Sequence, residues 1–198
     1  MYDKTEVKII EQVYLNPGIH KRELSKNLKL GMPSIEYALR KVENLLREQK
    51  SGNQIKYFLN YSRKALTPML YAIEFSRLER LPSKIRLSIQ DFLEEAEIKP
   101  LIVILFGSYA KGNYTKESDI DVLLVFQKLE KENDRDIENI AKRISMRTNT
   151  KISPVYLEYS IFRESFHNPR KEFFKNLKEN KIILVGIEYW RELKNEEA

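Results

Sequence analysis

The chain has 198 residues, 42% of them apolar and 32% charged, with 35 Lys+Arg against 29 Asp+Glu, a net charge of +6 and no cysteine. That size suits one large or two small globular domains, the apolar share excludes a disordered chain, and the missing cysteines exclude disulfides, thiolate metal sites and thiol nucleophiles. No apolar run approaches the ~20 residues of a bilayer span, and MYDKTEVKII lacks the basic-then-apolar layout of a secretory signal, so a cytoplasmic location without a membrane partner is expected.

In chain order, TEVKIIEQVYL places Val7, Ile10, Val13 and Tyr14 at helical spacings and stops at Asn16-Pro17-Gly18. HKRELSKNLKLG follows as a short helix with Leu24 and Leu28 inward. Pro33 then opens PSIEYALRKVENLL, a helix over 33–46 with Ile35, Ala38, Leu39, Val42 and Leu45/Leu46 on one stripe. REQKSGNQIKYFLN changes to an alternating period, two short strands around Ser51-Gly52-Asn53. Residues 1–60 also hold 11 Lys+Arg against 7 Asp+Glu, while residues 61–198 hold 24 against 22. Most of the excess charge therefore sits where a polyanion is the expected partner.

Three helices and a hairpin in this span resemble the winged helix-turn-helix family of DNA-binding domains. The resemblance implies a recognition helix over 33–46 with Ser34, Glu36, Tyr37, Arg40, Lys41 and Asn44 outward, and Arg47, Lys50 and Lys56 in or beside the wing. Ser34, Tyr37, Arg40, Lys41, Asn44 and Lys50 are the expected DNA contacts, to phosphates or base edges. The same pattern without DNA is a solvated helix face, and Glu36 and Glu43 weaken its attraction for phosphates.

SRKALTPMLYAIEFSRLERL (62–81) and KIRLSIQDFLEEAEI (84–98) read as two helices broken by Pro82-Ser83. From residue 100 the pattern is α/β: LIVILF and DIDVLLV are buried strands, DRDIENIAKRISMRTN a helix, TKISPVYL a third strand, NPRKEFFKNLKEN the last helix and KIILVG a terminal strand. His20 and His167 read as capping and loop residues. Tyr189, Trp190, Phe162, Phe166, Phe173 and Phe174 read as core or a subunit face.

Between the first two strands lies FGSYAKGNYTKESDID. Gly107-Ser108 supplies a tight turn with backbone amides and a hydroxyl, suited to phosphate oxygens. Asp119 and Asp121 lie two apart on a strand, so both leave the same face while Ile120 turns to the core. Such a pair demands a compensating positive charge, and oxygen donors of this kind suit Mg2+ or Mn2+.

Gly-Ser followed after ten residues by Asp-x-Asp resembles the signature of the DNA polymerase β-like nucleotidyltransferase superfamily, and most closely its minimal nucleotidyltransferases. The resemblance spans roughly residues 84–186. Together with the winged-helix resemblance it implies an α/β (α+β) protein: a winged helix-turn-helix domain (1–60), a connecting helix (61–83) and a nucleotidyltransferase domain (84–198) with a small mixed sheet flanked by helices. It also implies that Gly107, Ser108 and Lys111 bind the nucleoside triphosphate, and that Asp119 and Asp121 are catalytic and hold Mg2+ or Mn2+. The implied reaction moves AMP from ATP to a hydroxyl on a macromolecule. In this family the acceptor is often a tyrosine on a HEPN-domain toxin, which implies an antitoxin-like role; a homodimer is a further expectation. One position departs from the pattern. Catalytic members usually carry a third acidic residue on the next strand, but here Ser153, or Pro154 with a one-residue shift, stands there, and Glu158 is the nearest carboxylate. The alternative is therefore a DNA-binding regulator whose degenerate transferase domain senses nucleotide.

Overall fold

The computed structural model describes residues 4–96, 99–129 and 131–197, the side chains of 131–134 excepted. Two compact units emerge: residues up to Ile73 with 194–196, and Glu74–Leu193 with Glu197.

The first unit begins with α1 (Lys4–Leu15), β1 (Ile19–His20), α2 (Lys21–Leu28) and α3 (Met32–Lys41). A 3-10 turn (Glu43–Leu45), β2 (Leu46–Ser51) and β3 (Gln54–Leu59) follow. The strands pair antiparallel in the order β1-β3-β2. Ile9, Ile10 and Val13 of α1, Leu24 of α2, and Ile35 and Leu39 of α3 are buried with Tyr57. Three amphipathic helices thus bury their apolar stripes beside a small three-stranded sheet. Two details differ from the sequence reading. The expected helix over 33–46 ends at Lys41, because Leu46 pairs with Leu59 and the Asn60 amide donates to the Leu45 carbonyl at 2.8 Å. The ladder buries Leu45 and Leu46 from a turn and a strand, so their helical spacing misleads. The two-residue β1, too short to show a period, pairs Ile19 with Tyr57.

Helix α4 (Leu66–Glu79) carries the chain into the second unit. There α5 (Ser83–Glu95), β4 (Ile102–Phe106), α6 (Gly107–Lys111), β5 (Ile120–Phe126), α7 (Lys131–Thr148) and β6 (Ile152–Glu158) follow. The expected end of α5 at residues 97–98 lies outside the described residues. Helices α8 (Tyr159–Phe166) and α9 (Glu172–Glu179), strand β7 (Ile182–Val185) and helix α10 (Ile187–Glu196) complete the order. The last strand is therefore not terminal, and α8 and α10 add two helices to those expected; Ile187, Trp190 and Leu193 make the buried stripe of α10.

The sheet order is β6-β5-β4-β7, with β5 and β6 parallel and the other pairs antiparallel. This is the expected small mixed sheet flanked by helices. Val103 and Leu105 of β4 and Ile120, Val122 and Leu124 of β5 pack with Ile85, Ile89 and Phe92 of α5 and Ile137, Ala141 and Ile144 of α7. The alternate residues Ile104, Leu123 and Val125 are also buried, as are Phe162 and Phe166 of α8 and Trp190 of α10. Strands covered on both faces read as continuous apolar runs.

Candidate functional site

Strand β4 ends at Phe106, whose antiparallel partner is Asp121, so the turn that follows β4 is delivered beside the second aspartate. Gly107 opens α6 with φ +67°, in the left-handed region that excludes most side chains. A Cβ there would lie 2.0 Å from Asp121 Oδ2 and 2.9 Å from its Cγ. Glycine therefore meets both a backbone and a space requirement, and the vacant volume is where the Asp121 carboxylate sits. Helix α6 closes after one turn, the amides of Gly112 and Asn113 donating to the Ser108 carbonyl at 2.9 and 3.2 Å. Lys111 and Gly107 line one cavity of ≈ 140 Å³ with Phe106, Phe173 and Asn176.

The loop before β5 is held by a turn in which the Thr115 amide donates to Ser118 Oγ at 2.8 Å. Asp119 follows and Asp121 lies on the strand, its alternation sending Ile120 to the core side. The parallel ladder pairs Asp121 with Ser153 and Ile120 with Ile152. Ser153, not Pro154, is therefore the β6 residue beside the aspartates, and its hydroxyl donates to Asp119 Oδ2 at 3.2 Å. Glu158 pairs with Phe126 at the far end of the ladder and accepts from the Leu129 amide at 3.1 Å, so it does not replace the third carboxylate.

The positive charge that the carboxylates demand is Lys151, which the sequence reading missed. Its Nζ stands 2.5 Å from Asp119 Oδ2. Only the parallel register reveals it: one step before the Ile120–Ile152 pair, Lys151 falls beside Asp119, 32 residues away. Burial, then the Asp119 charge, push the Asp121 carboxyl above its ordinary range, with Lys151 pulling the other way. The Asp119 contact in turn raises Lys151. A cleft of ≈ 900 Å³ opens on this side, lined by Asp119, Lys151 and Ser153 together with Lys116, Lys142 and Ser145.

Across the end of the sheet the order is thus Lys151 just before β6 and Ser153 on it, Asp119 just before β5 and Asp121 on it, and Gly107 and Ser108 after β4. The residues fit a divalent cation. Two carboxylates share a face, the missing Gly107 side chain leaves one of them room, and all the oxygen donors are hard. Among the described residues no group of three or more His, Cys, Asp or Glu side chains could hold a metal, so phosphate oxygens and water would have to complete the coordination.

In the first unit, Ser34, Tyr37, Arg40 and Lys41 are exposed on α3, with Lys41 over the Tyr37 ring at 5.4 Å. Lys50 is exposed on β2, and Arg47 lies 5.7 Å over Phe58. Asn44, expected on the recognition helix, sits in the 3-10 turn because α3 has already ended. Glu36 is paired with Lys21 at 3.2 Å, so its charge does not stand alone on the helix face.

Comparison with known proteins matches the nucleotidyltransferase domain family over residues 85–184. Two relatives come from Methanocaldococcus jannaschii and are named as candidate protein adenylyltransferases. MJ0141 is 44% identical over 61 residues, covering 30% of this chain and 61% of that protein. MJ0604 is 74% identical over 23 residues, covering 12% and 23%. A third relative from that organism, the uncharacterised HTH-type transcriptional regulator MJ1398, is 34% identical over 62 residues, 30% of this chain and 16% of its own length. The chain thus spans about three fifths of the first relative and less of the other two.

Proposed function

The chain belongs to the nucleotidyltransferase domain family, and on that premise we propose that it transfers AMP from ATP to a hydroxyl on a protein. The observation that carries this reading is the placement of Asp119 and Asp121 between the Gly107-Ser108 turn and the cleft that begins at Lys151 and Ser153. The names of the two adenylyltransferase relatives support AMP and a protein acceptor.

In this reading the triphosphate lies on the Gly107-Ser108 turn, with Lys111 as a basic neighbour, and the acceptor enters through the cleft. The acceptor oxygen attacks the α-phosphorus while its proton passes to solvent. A P–O bond forms, the bond to the α,β-bridging oxygen breaks, and pyrophosphate leaves with the electron pair. Mg2+ or Mn2+ held by Asp119 and Asp121 would supply Lewis-acid charge to the phosphate oxygens. Ser153 orients Asp119 and is no base at neutral pH. A missing general base typically costs ~10²–10⁴-fold, so slow turnover is expected. The acceptor class we favour is a tyrosine on a HEPN-domain toxin, an antitoxin-like role in which this chain acts alone or as a homodimer.

A second reading, a DNA-binding regulator that senses nucleotide, is favoured by Ser153 at the third acidic position and by the exposed Arg40 and Lys41 of α3. Incubation with α-³²P-ATP, Mg2+ and a lysate of the source organism separates the two. Transfer predicts a labelled protein band that disappears with Asp119→Asn. A band that persists in that variant overturns the assignment of the site, and the absence of any band favours the sensor.

A further inference from the structure

A site with three carboxylates can hold two divalent cations, one on each side of the transferred phosphorus. Here Ser153 stands where a third carboxylate would, and no carboxylate among the described residues replaces it. The charge that remains beside the aspartates is the Lys151 ammonium. Asp119 Oδ2 receives both Lys151 Nζ at 2.5 Å and the Ser153 hydroxyl at 3.2 Å. These donors occupy the β6 side of Asp119, facing the cleft, while Gly107 borders Asp121 from the β4 side.

We propose that Lys151 stands in the place of a second divalent cation on the acceptor side of Asp119, so that the site works with one resident cation and one lysine ammonium. The inference rests on the reading of this site as a nucleotidyl-transfer centre. Charge and reach argue for it. Two cations would bring four positive charges to two carboxylates, and a single cation with one ammonium brings three. The Lys151 side chain is 69% exposed, so its stem is not locked by packing, and Nζ can leave Asp119 for an acceptor oxygen or an α-phosphate oxygen entering from the cleft. An ammonium brought to where negative charge develops offsets that charge as a lysine clamp does on a transferring phosphoryl group.

The test counts Mn2+ by electron paramagnetic resonance, with and without the non-transferable α,β-methylene-ATP, in the full chain. The wild type should bind one Mn2+ per chain with the nucleotide analogue. Lys151→Met should keep that number and tighten Mn2+ binding without nucleotide by about 2- to 5-fold, the size of one exposed charge contact. The double variant Lys151→Met/Ser153→Asp should bind two. Two Mn2+ in the wild type, or an unchanged affinity in Lys151→Met, would overturn the role of Lys151 and leave the transfer reading standing. No Mn2+ bound in the presence of the analogue would sink both. Because Lys151 is exposed, loss of folding does not confound the single variant.

Discussion

Gly107 combines a φ of +67° with a space into which the Asp121 carboxylate projects, so alanine there meets two penalties. The left-handed backbone costs a residue with a Cβ ~1–2 kcal/mol, and the methyl group also displaces the carboxylate. Gly107→Ala should lower stability by at least that amount in urea titrations, and calorimetry should register no heat from ATP with Mg2+. Asp121 offers a separate test. Burial and the Asp119 charge raise its carboxyl in the folded state, so the fold binds that proton more tightly than the unfolded chain does. Stability is then lost as pH rises through the interval between the unfolded and the folded value, and the penalty persists at neutral pH. Metal-free Asp121→Asn should therefore melt higher than the wild type at pH 7, and the difference should vanish in acid. Thermal scans in chelator at the two pH values check it. Mn2+ affinity should fall as pH drops into that raised range, earlier than for an ordinary aspartate.

Helix α3 and the ladder β5·β6 show how far local patterns reach. Pro33 and the stripe Ile35, Ala38 and Leu39 locate α3, but its end depends on β2, which takes Leu46 into a pair with Leu59. The exposed face that remains, Ser34, Tyr37, Arg40 and Lys41, is the part of the expected DNA surface carried by a helix. If Arg40 and Lys41 each neutralise a phosphate, Arg40→Ala/Lys41→Ala should reduce the salt dependence of DNA binding by about one unit of slope per residue. Mobility shifts on the protein's own upstream DNA at several salt concentrations measure that slope; an unchanged slope removes α3 from the interface. The ladder is less legible. Alternation along β5 places Asp119 and Asp121 on one face, and alternation along β6 places Lys151 and Ser153 on one face. Neither says which residue of one strand lies beside which of the other. That assignment separates Ser153 from Pro154 and excludes Glu158, which sits five positions along the ladder from the partner of Asp121. Helices α8 and α10 were missed although Phe162 and Phe166 are four apart and Ile187, Trp190 and Leu193 three apart. Each begins within one residue of a strand's end, so no turn signal separates its stripe from the apolar run before it.

At the scale of the whole chain, two compact units differ in charge and architecture. The first concentrates positive charge around three helices and a three-stranded sheet, and the second buries a four-stranded sheet whose end holds the carboxylates. None of the helices among the described residues is long and apolar enough to cross a membrane. Spacing alone located most of the helices and strands, the small-residue turn and the common face of the two aspartates, because backbone period and glycine conformation are local properties that a few neighbouring residues dictate. The counter-charge, the identity of the residue at the third acidic position and the end of α3 came instead from sheet order and register. Those depend on contacts between segments tens of residues apart, where burial on both faces of a strand selects one alignment and leaves no mark in either segment by itself.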